Sequence, residues 1–420
     1  MSTLIKSARI VDPDSKANLQ KKNIFIDDEG IIQKIGTESP RADLTIEGKD
    51  LHVSIGWFDM KANFNDPGFE QKEDLQTGRM AAAAGGFTEV ALIPNTHPVI
   101  QSKNDVKYIQ SGNKTKLVQL YAIGAVTKDC QGEDLTEMID MHAAGAVAFS
   151  DGEKPIWNTD ILFKTLQYLQ KFNGLLINRP EDKYLTIFGS MHEGHNSTLL
   201  GLKGMPSISE EIMIKRDLKL LDYSGGKIHF SNISGQDGVR LLKKARQKGK
   251  NATSDVAISN LVFDDSELLD YDSNYKVDPP LREENDKKAL LKGLKNGTID
   301  VIVSAHSPHD EECKKLEFDL ADFGMSTIQT FFPMLLQAVE NQDWLDIIPK
   351  FTVNPRKILG LNIPKIKTGE PANLTVFDPS IKWTLNDKSN FSRSKNSPYF
   401  NRELTGKAVA VLNNGQVFNW

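Results

Sequence analysis

The sequence predicts an α/β protein in two parts. One is a (β/α)8 TIM barrel over residues 53–360; the other is a small β-sandwich domain made from both termini, 1–52 with 361–420. Three features point there. Strand and helix patterns alternate eight times over roughly 300 residues, the count and length of such a barrel. Several of the strands are near-continuous apolar runs, as strands covered on both faces by helices are. Each end carries only short β segments and turns, too few residues for a core of its own.

In chain order, residues 4–11, 23–27 and 31–35 are apolar and β-branched, broken by Asp12-Pro13-Asp14 and Asp27-Asp28-Glu29-Gly30. Barrel strands are expected at 53–58, 88–94, 117–126, 146–150, 175–178, 227–234, 251–258 and 301–304. Between them, Ala81-Ala82-Ala83-Ala84 reads as a helix packed closely on the barrel. Ser207-Ile208-Ser209-Glu210 reads as a capping-box start. Leu290, Leu291 and Leu294 form an apolar helix face that stops at Asn296-Gly297. The C-terminus returns to short strands at 372–377, 408–412 and 416–419, with a turn at Asn413-Asn414-Gly415.

Composition narrows the function. Hydrophobic residues make up 39% and charged residues 25%, a globular balance that argues against disorder. Lys plus Arg total 51 against 56 acidic residues, so the net charge of −5 excludes a generic polyanion binder. No basic run suits nucleic acid or an anionic membrane. The N-terminus lacks the apolar core of a signal peptide, and no apolar stretch reaches membrane-spanning length. Cys130 and Cys313 cannot form a disulfide framework, which fits a reducing cytoplasm, and neither has a histidine partner in sequence that marks a nucleophile. No Gly-x-Gly-x-x-Gly or Walker-type run is present, so nucleotide-cofactor enzymes are poor candidates.

In this barrel class chemistry sits at the C-terminal ends of the strands. Along its length the chain carries Gly56-Trp57-Phe58-Asp59, Pro67-Gly68-Phe69-Glu70, Lys72-Glu73-Asp74, Ala81 to Thr88 and Pro94-Asn95-Thr96. It continues with Phe149-Ser150-Asp151, Gly201-Leu202-Lys203-Gly204-Met205-Pro206, Pro279-Pro280-Leu281-Arg282, Asn296 to Asp300 and Asn354 to Leu361. These runs, over nearly the whole chain, closely resemble the dihydroorotases, in the cyclic-amide branch of the amidohydrolase superfamily. The resemblance implies a barrel with one or two zinc ions that activate a water, and an aspartate at the end of strand eight that shuttles the proton.

The chain departs from that pattern where the chemistry lies. The positions of the family's His-x-His on strand one hold Lys61 and Asn63, and its substrate-carboxylate arginine is Asn65. Arg179 and Asn232 stand at the metal-histidine positions of strands five and six, and Ser259-Asn260 replace a His-His pair after strand seven. The strand-eight aspartate is Ala305. Asp151 is a candidate surviving carboxylate, beside Gly152 where relatives often carry a second aspartate. Asn65, Asn95, Asp278 and His309 read as substrate-pocket remnants, which either have no role or still bind a small anion.

Arginine is never deprotonated and cannot ligate, and amides are weak donors, so neither catalytic residues nor metal ligands are expected. Zinc would be the cofactor only if the family activity were retained. Lys61 and Arg179 are expected to pair with Asp151 or Asp255 in a salt-bridge cluster that fills the metal cavity. His192-Glu193-Gly194-His195 does not have the His-Glu-x-x-His spacing and reads as a loop; His52, His97, His142 and His229 read as structural. The leading expectation is a non-catalytic homologue, a homodimer serving as structural or regulatory partner of aspartate transcarbamoylase or of an active dihydroorotase paralogue. An active cyclic-amide hydrolase with an altered site, and a small-molecule sensor that kept the pocket, stand as alternatives.

Overall fold

The computed structural model describes residues 1–339 and 344–420. Eight parallel strands form the barrel sheet in chain order: Trp57–Ala62, Phe87–Leu92, Gln119–Gly124, Ala148–Phe149, Leu176–Asn178, Ile228–Phe230, Ala252–Ala257 and Val301–Val303. Strand eight meets strand one through an Ala62–His306 bridge, and Asn63 N donates to His306 O at 2.8 Å. Asp59, buried inside the barrel, accepts from the backbone N of Ser304 at 3.0 Å and from its hydroxyl, which fastens the same seam.

Strands from both ends form one connected eight-stranded sheet. His52–Ile55 lies between Thr3–Ile10 and Leu374–Thr384, so N- and C-terminal segments meet across it. The run 53–58, expected as one strand, is divided at Gly56. Its N–H donates to Asn373 O at 2.9 Å, and a β-carbon there would collide with Asn373 and Thr88. The backbone therefore leaves the terminal sheet and enters the barrel within one residue.

Trp57, the first barrel residue, packs against Phe87, Phe331, Phe332, Phe351 and Phe377. Phe377 belongs to the terminal sheet, so the two parts share an aromatic core. Beside it Arg356, fully buried, donates to Glu89 Oε2 at 2.7 Å. Ala81 to Ala84 are buried along helix Leu75–Gly85, whose small side chains bring it close to the barrel. The helix Ile208–Ser224 starts without the expected capping box. Glu210 is buried and turned instead to Ser234 N, Ser234 Oγ and Gly235 N, where it holds the loop after strand six.

Candidate functional site

At the C-terminal mouth of the barrel lies a cavity of about 210 Å³, lined among others by Lys61, Asn63, Arg179, Asn232, Asn260, Asp278, Ala305 and His306. The strand ends thus bring together five of the positions singled out from sequence, Lys61, Asn63, Arg179, Asn232 and Ala305. Three residues at this rim have left-handed backbone: Asn65 (φ 59°), Asn232 (φ 54°) and Ala305 (φ 50°). Asparagine tolerates that conformation; alanine adopts it at a cost.

Two buried cations occupy the centre. Arg179 forms ion pairs with Glu181 and with Asp278, and donates to Glu153 O at 2.6 Å. Burial alone would lower its basicity; Asp278 and Glu181 more than offset that and hold the guanidinium charged. Lys61 is pushed the other way: burial lowers its basicity, Asp255 opposes this, and Arg179 adds to it. With the Asn232 amide oriented to satisfy both neighbours, its oxygen accepts from Lys61 Nζ at 3.0 Å and its nitrogen donates to Asp255 Oδ1 at 3.2 Å. Of the expected partners, Asp151 pairs with neither cation and Asp255 does not pair with Arg179, which takes Glu181 and Asp278 instead. Asp255 reaches Lys61 only through Asn232, and its own carboxylate binds His229 Nε2 at 2.9 Å.

The remaining expected positions are engaged by the protein itself. Asp151 accepts from Val126 N (3.0 Å), Thr127 N (2.9 Å) and Thr127 Oγ1 (2.5 Å), so both oxygens serve one turn of backbone. Asn95 donates to Asp151 O at 3.1 Å and accepts from Glu153 N at 2.8 Å. Asn63 Oδ1 accepts from Asn65 N at 2.9 Å, and Asn65 donates to Pro308 O at 3.1 Å. His309 accepts from Lys72 Nζ at 3.0 Å. His192 accepts from Arg282 at 3.1 Å and sits in the short pairing Met191–His192 with Gly204–Met205, the loop role expected of it.

These residues do not fit zinc. Tetrahedral sites need imidazole, thiolate or carboxylate donors at about 2.0–2.3 Å. The strand-end positions offer two cations, two amides and a methyl group, and both Asp151 oxygens already accept hydrogen bonds. His306 Nδ1 accepts from Thr327 N at 3.1 Å, while its buried Nε2 has Glu73 Oε2 at 3.7 Å. Sequence reading placed Asp278 in the pocket but did not identify Asp278 and Glu181 as the counter-ions of Arg179. Glu181, two residues after Arg179, was visible as an acidic neighbour; that Asp278 approaches from 99 residues away is a product of the fold. Asp59 also went unnoticed: burial foremost pushes its carboxyl up to about 7.

Fold and site together define a (β/α)8 barrel with a terminal β sheet whose strand-end positions carry cations and amides. Among solved structures, the L-hydantoinase (dihydropyrimidinase) from Arthrobacter aurescens matches with a TM-score of 0.84 at 21% identity, covering 99% of this chain and 95% of that one. A D-hydantoinase (dihydropyrimidinase) from Thermus sp. matches with a TM-score of 0.81 at 19% identity, covering 99% and 94%. At such identities the likeness is one of fold.

Sequence narrows the class further. The "Dihydro-orotase-like" family model matches residues 52–238. Dihydroorotase from Pelotomaculum thermopropionicum is 38% identical over 99% of this chain and 98% of its own length, and that from Acetivibrio thermocellus 39% over 99% and 98%. The chain belongs to the dihydroorotase family.

Proposed function

We propose that this chain is a dihydroorotase homologue of pyrimidine biosynthesis that has exchanged the metal centre for an internal ion-pair cluster and has no zinc-dependent cyclic-amide hydrolysis. The observation that carries the reading is Arg179, which spends its charge on Glu181 and Asp278 at a strand end where the family resemblance implies an imidazole. A cationic ligand position repels the ion it would have to hold. The inward engagement of Asn65, Asn95 and His309 supports the same conclusion for substrate capture. Without the metal-activated water and the proton shuttle, most of the rate enhancement is gone.

The test is turnover of dihydroorotate and of carbamoyl aspartate by the purified chain with zinc supplied. Rates at the level of a protein-free control are expected. Turnover comparable to a dihydroorotase from one of its relatives would overturn the reading in favour of an active enzyme with an altered site, a reading the relatives' names fit equally well.

In the proposed role the outer surface acts, as a second copy's interface or as a contact for aspartate transcarbamoylase or an active dihydroorotase. Exposed Tyr184, Ile187, Phe188 and Ile208 lie on and around helices Lys183–Thr186 and Ile208–Ser224, which pack together, and give such a contact an apolar face. Co-expression with either enzyme and size-exclusion chromatography reads the association; elution of every component alone would remove it.

A further inference from the structure

Among the described residues, one set of His, Cys and carboxylate side chains converges closely enough to hold a metal ion, and it is not at the strand-end cluster. His309, Cys313 and Asp322 each point one donor atom into a common space, all within 4.8 Å of one another. All three come from the segment after barrel strand eight: His309 near its start, Cys313 on helix Glu311–Lys314, Asp322 on the returning loop. His309 Nδ1 and Asp322 Oδ2 are 3.3 Å apart. Two ligands of a tetrahedral ion, each about 2.0–2.2 Å from it, are separated by about that distance.

The tautomer is also the one that ligation needs. Lys72 Nζ lies 3.0 Å from His309 Nδ1, so that nitrogen carries the lone pair. The Lys72 side chain lies against the same cluster. Its ammonium is also 3.4 Å from Asp322 Oδ2, so the cluster already holds a cation between two of the three donors. A cavity of about 430 Å³, lined by His309, Asp310, Lys314 and Asn396 among others, borders the cluster and gives an ion a way in.

We propose that His309, Cys313 and Asp322 form a zinc site, in which the ion displaces the Lys72 ammonium and keeps its fourth position for water. One nitrogen, one sulfur and one oxygen donor suit zinc, a borderline-soft ion, better than magnesium or calcium, which take oxygen. Binding releases the thiol proton to solvent, forms the Zn–S bond and leaves a thiolate, an imidazole and a carboxylate around the ion. The ion would tie His309 and the loop that follows it into one unit at the barrel mouth. This site stands apart from the strand-end cavity and does not depend on whether the chain is catalytic.

The experiment is titration of the metal-stripped full-length chain with zinc and, for a spectrum, with cobalt. One ion per chain is expected, with a near-ultraviolet thiolate-to-cobalt band. Cys313→Ser and His309→Gln should each weaken binding by at least about tenfold, and Lys72→Met should tighten it, because the competing ammonium is gone. The cobalt spectrum of the unaltered chain reports the thiolate even where a variant folds poorly. Three results would each overturn the proposal: no ion bound by the unaltered chain and Lys72→Met at about 100 μM metal, a cobalt complex lacking the thiolate band, or undiminished binding in folded Cys313→Ser and His309→Gln. The last would place the ion elsewhere, and an ion in the strand-end cavity would count against the proposed function as well.

Discussion

Arg179 holds two carboxylates that have little else to neutralise them. Glu181 and Asp278 are mostly buried, and the guanidinium is the cation that joins them. Replacing it by an apolar residue of similar length leaves two like charges side by side in a poorly solvated cavity. Breaking a buried pair this way costs about 3–5 kcal/mol, reduced here to about 2–4 because both carboxylates keep some contact with water. Arg179→Met should therefore shift the urea midpoint strongly. Arg179→Met combined with Asp278→Asn should recover part of the loss, and a double variant no more stable than the single one would show that the pair is not coupled. The replacement of ligands by cations was legible in the sequence, because residue types at strand ends can be read directly. The choice of counter-ions was not. Asp151 lay at the right strand end by order along the chain, yet its carboxylate turned to Val126 and Thr127, where two backbone N–H groups and a hydroxyl outcompete a distant ammonium.

Short elements show how tertiary contacts redirect local signals. The Ser207 to Glu210 motif has the composition of a capping box, but Glu210 is worth more to the buried, otherwise unpartnered N–H groups of Ser234 and Gly235. The loop that carries His192 offers a pH test. Burial first, and Arg282 second, push its imidazole down to about 4 from an ordinary 6.5. The folded state resists a proton that the unfolded chain accepts. The stabilisation this gives is complete above about pH 6.5 and is lost as the pH falls from there toward about 4. His192→Gln, which keeps an acceptor for Arg282, should flatten the stability profile across that window in urea titrations; an unchanged profile would remove His192 as the cause. Gly56 marks a third redirection, one strand pattern divided between two sheets. Gly56→Ala should cost about 1–3 kcal/mol in the same assay by forcing Asn373 and Thr88 apart.

For the molecule as a whole, the alternation of patterns was enough to read eight barrel strands and a terminal β unit, since 3.6- and 2-residue periodicities survive without knowledge of contacts. The joint between the parts was less visible. Trp57 with Phe377, and Glu89 with Asn373, meet across the boundary between the barrel and the terminal sheet. Residues 53–360 expressed alone would expose the aromatic cluster and aggregate, whereas the intact chain should unfold in one transition, with tryptophan fluorescence and far-ultraviolet circular dichroism coincident. Two separated transitions would show that the parts fold independently.

The left-handed bend at Ala305 bears on how easily the chain could be rebuilt. Alanine gains nothing from that conformation, so the closure of strand eight onto strand one imposes it, and Ala305→Gly should add about 0.5–1 kcal/mol of stability. A backbone that keeps its curvature without help from its side chains is an engineering asset. Imidazoles at 61, 63, 179 and 232 and a carboxylate at 305 could be grafted onto a rim already bent to receive them.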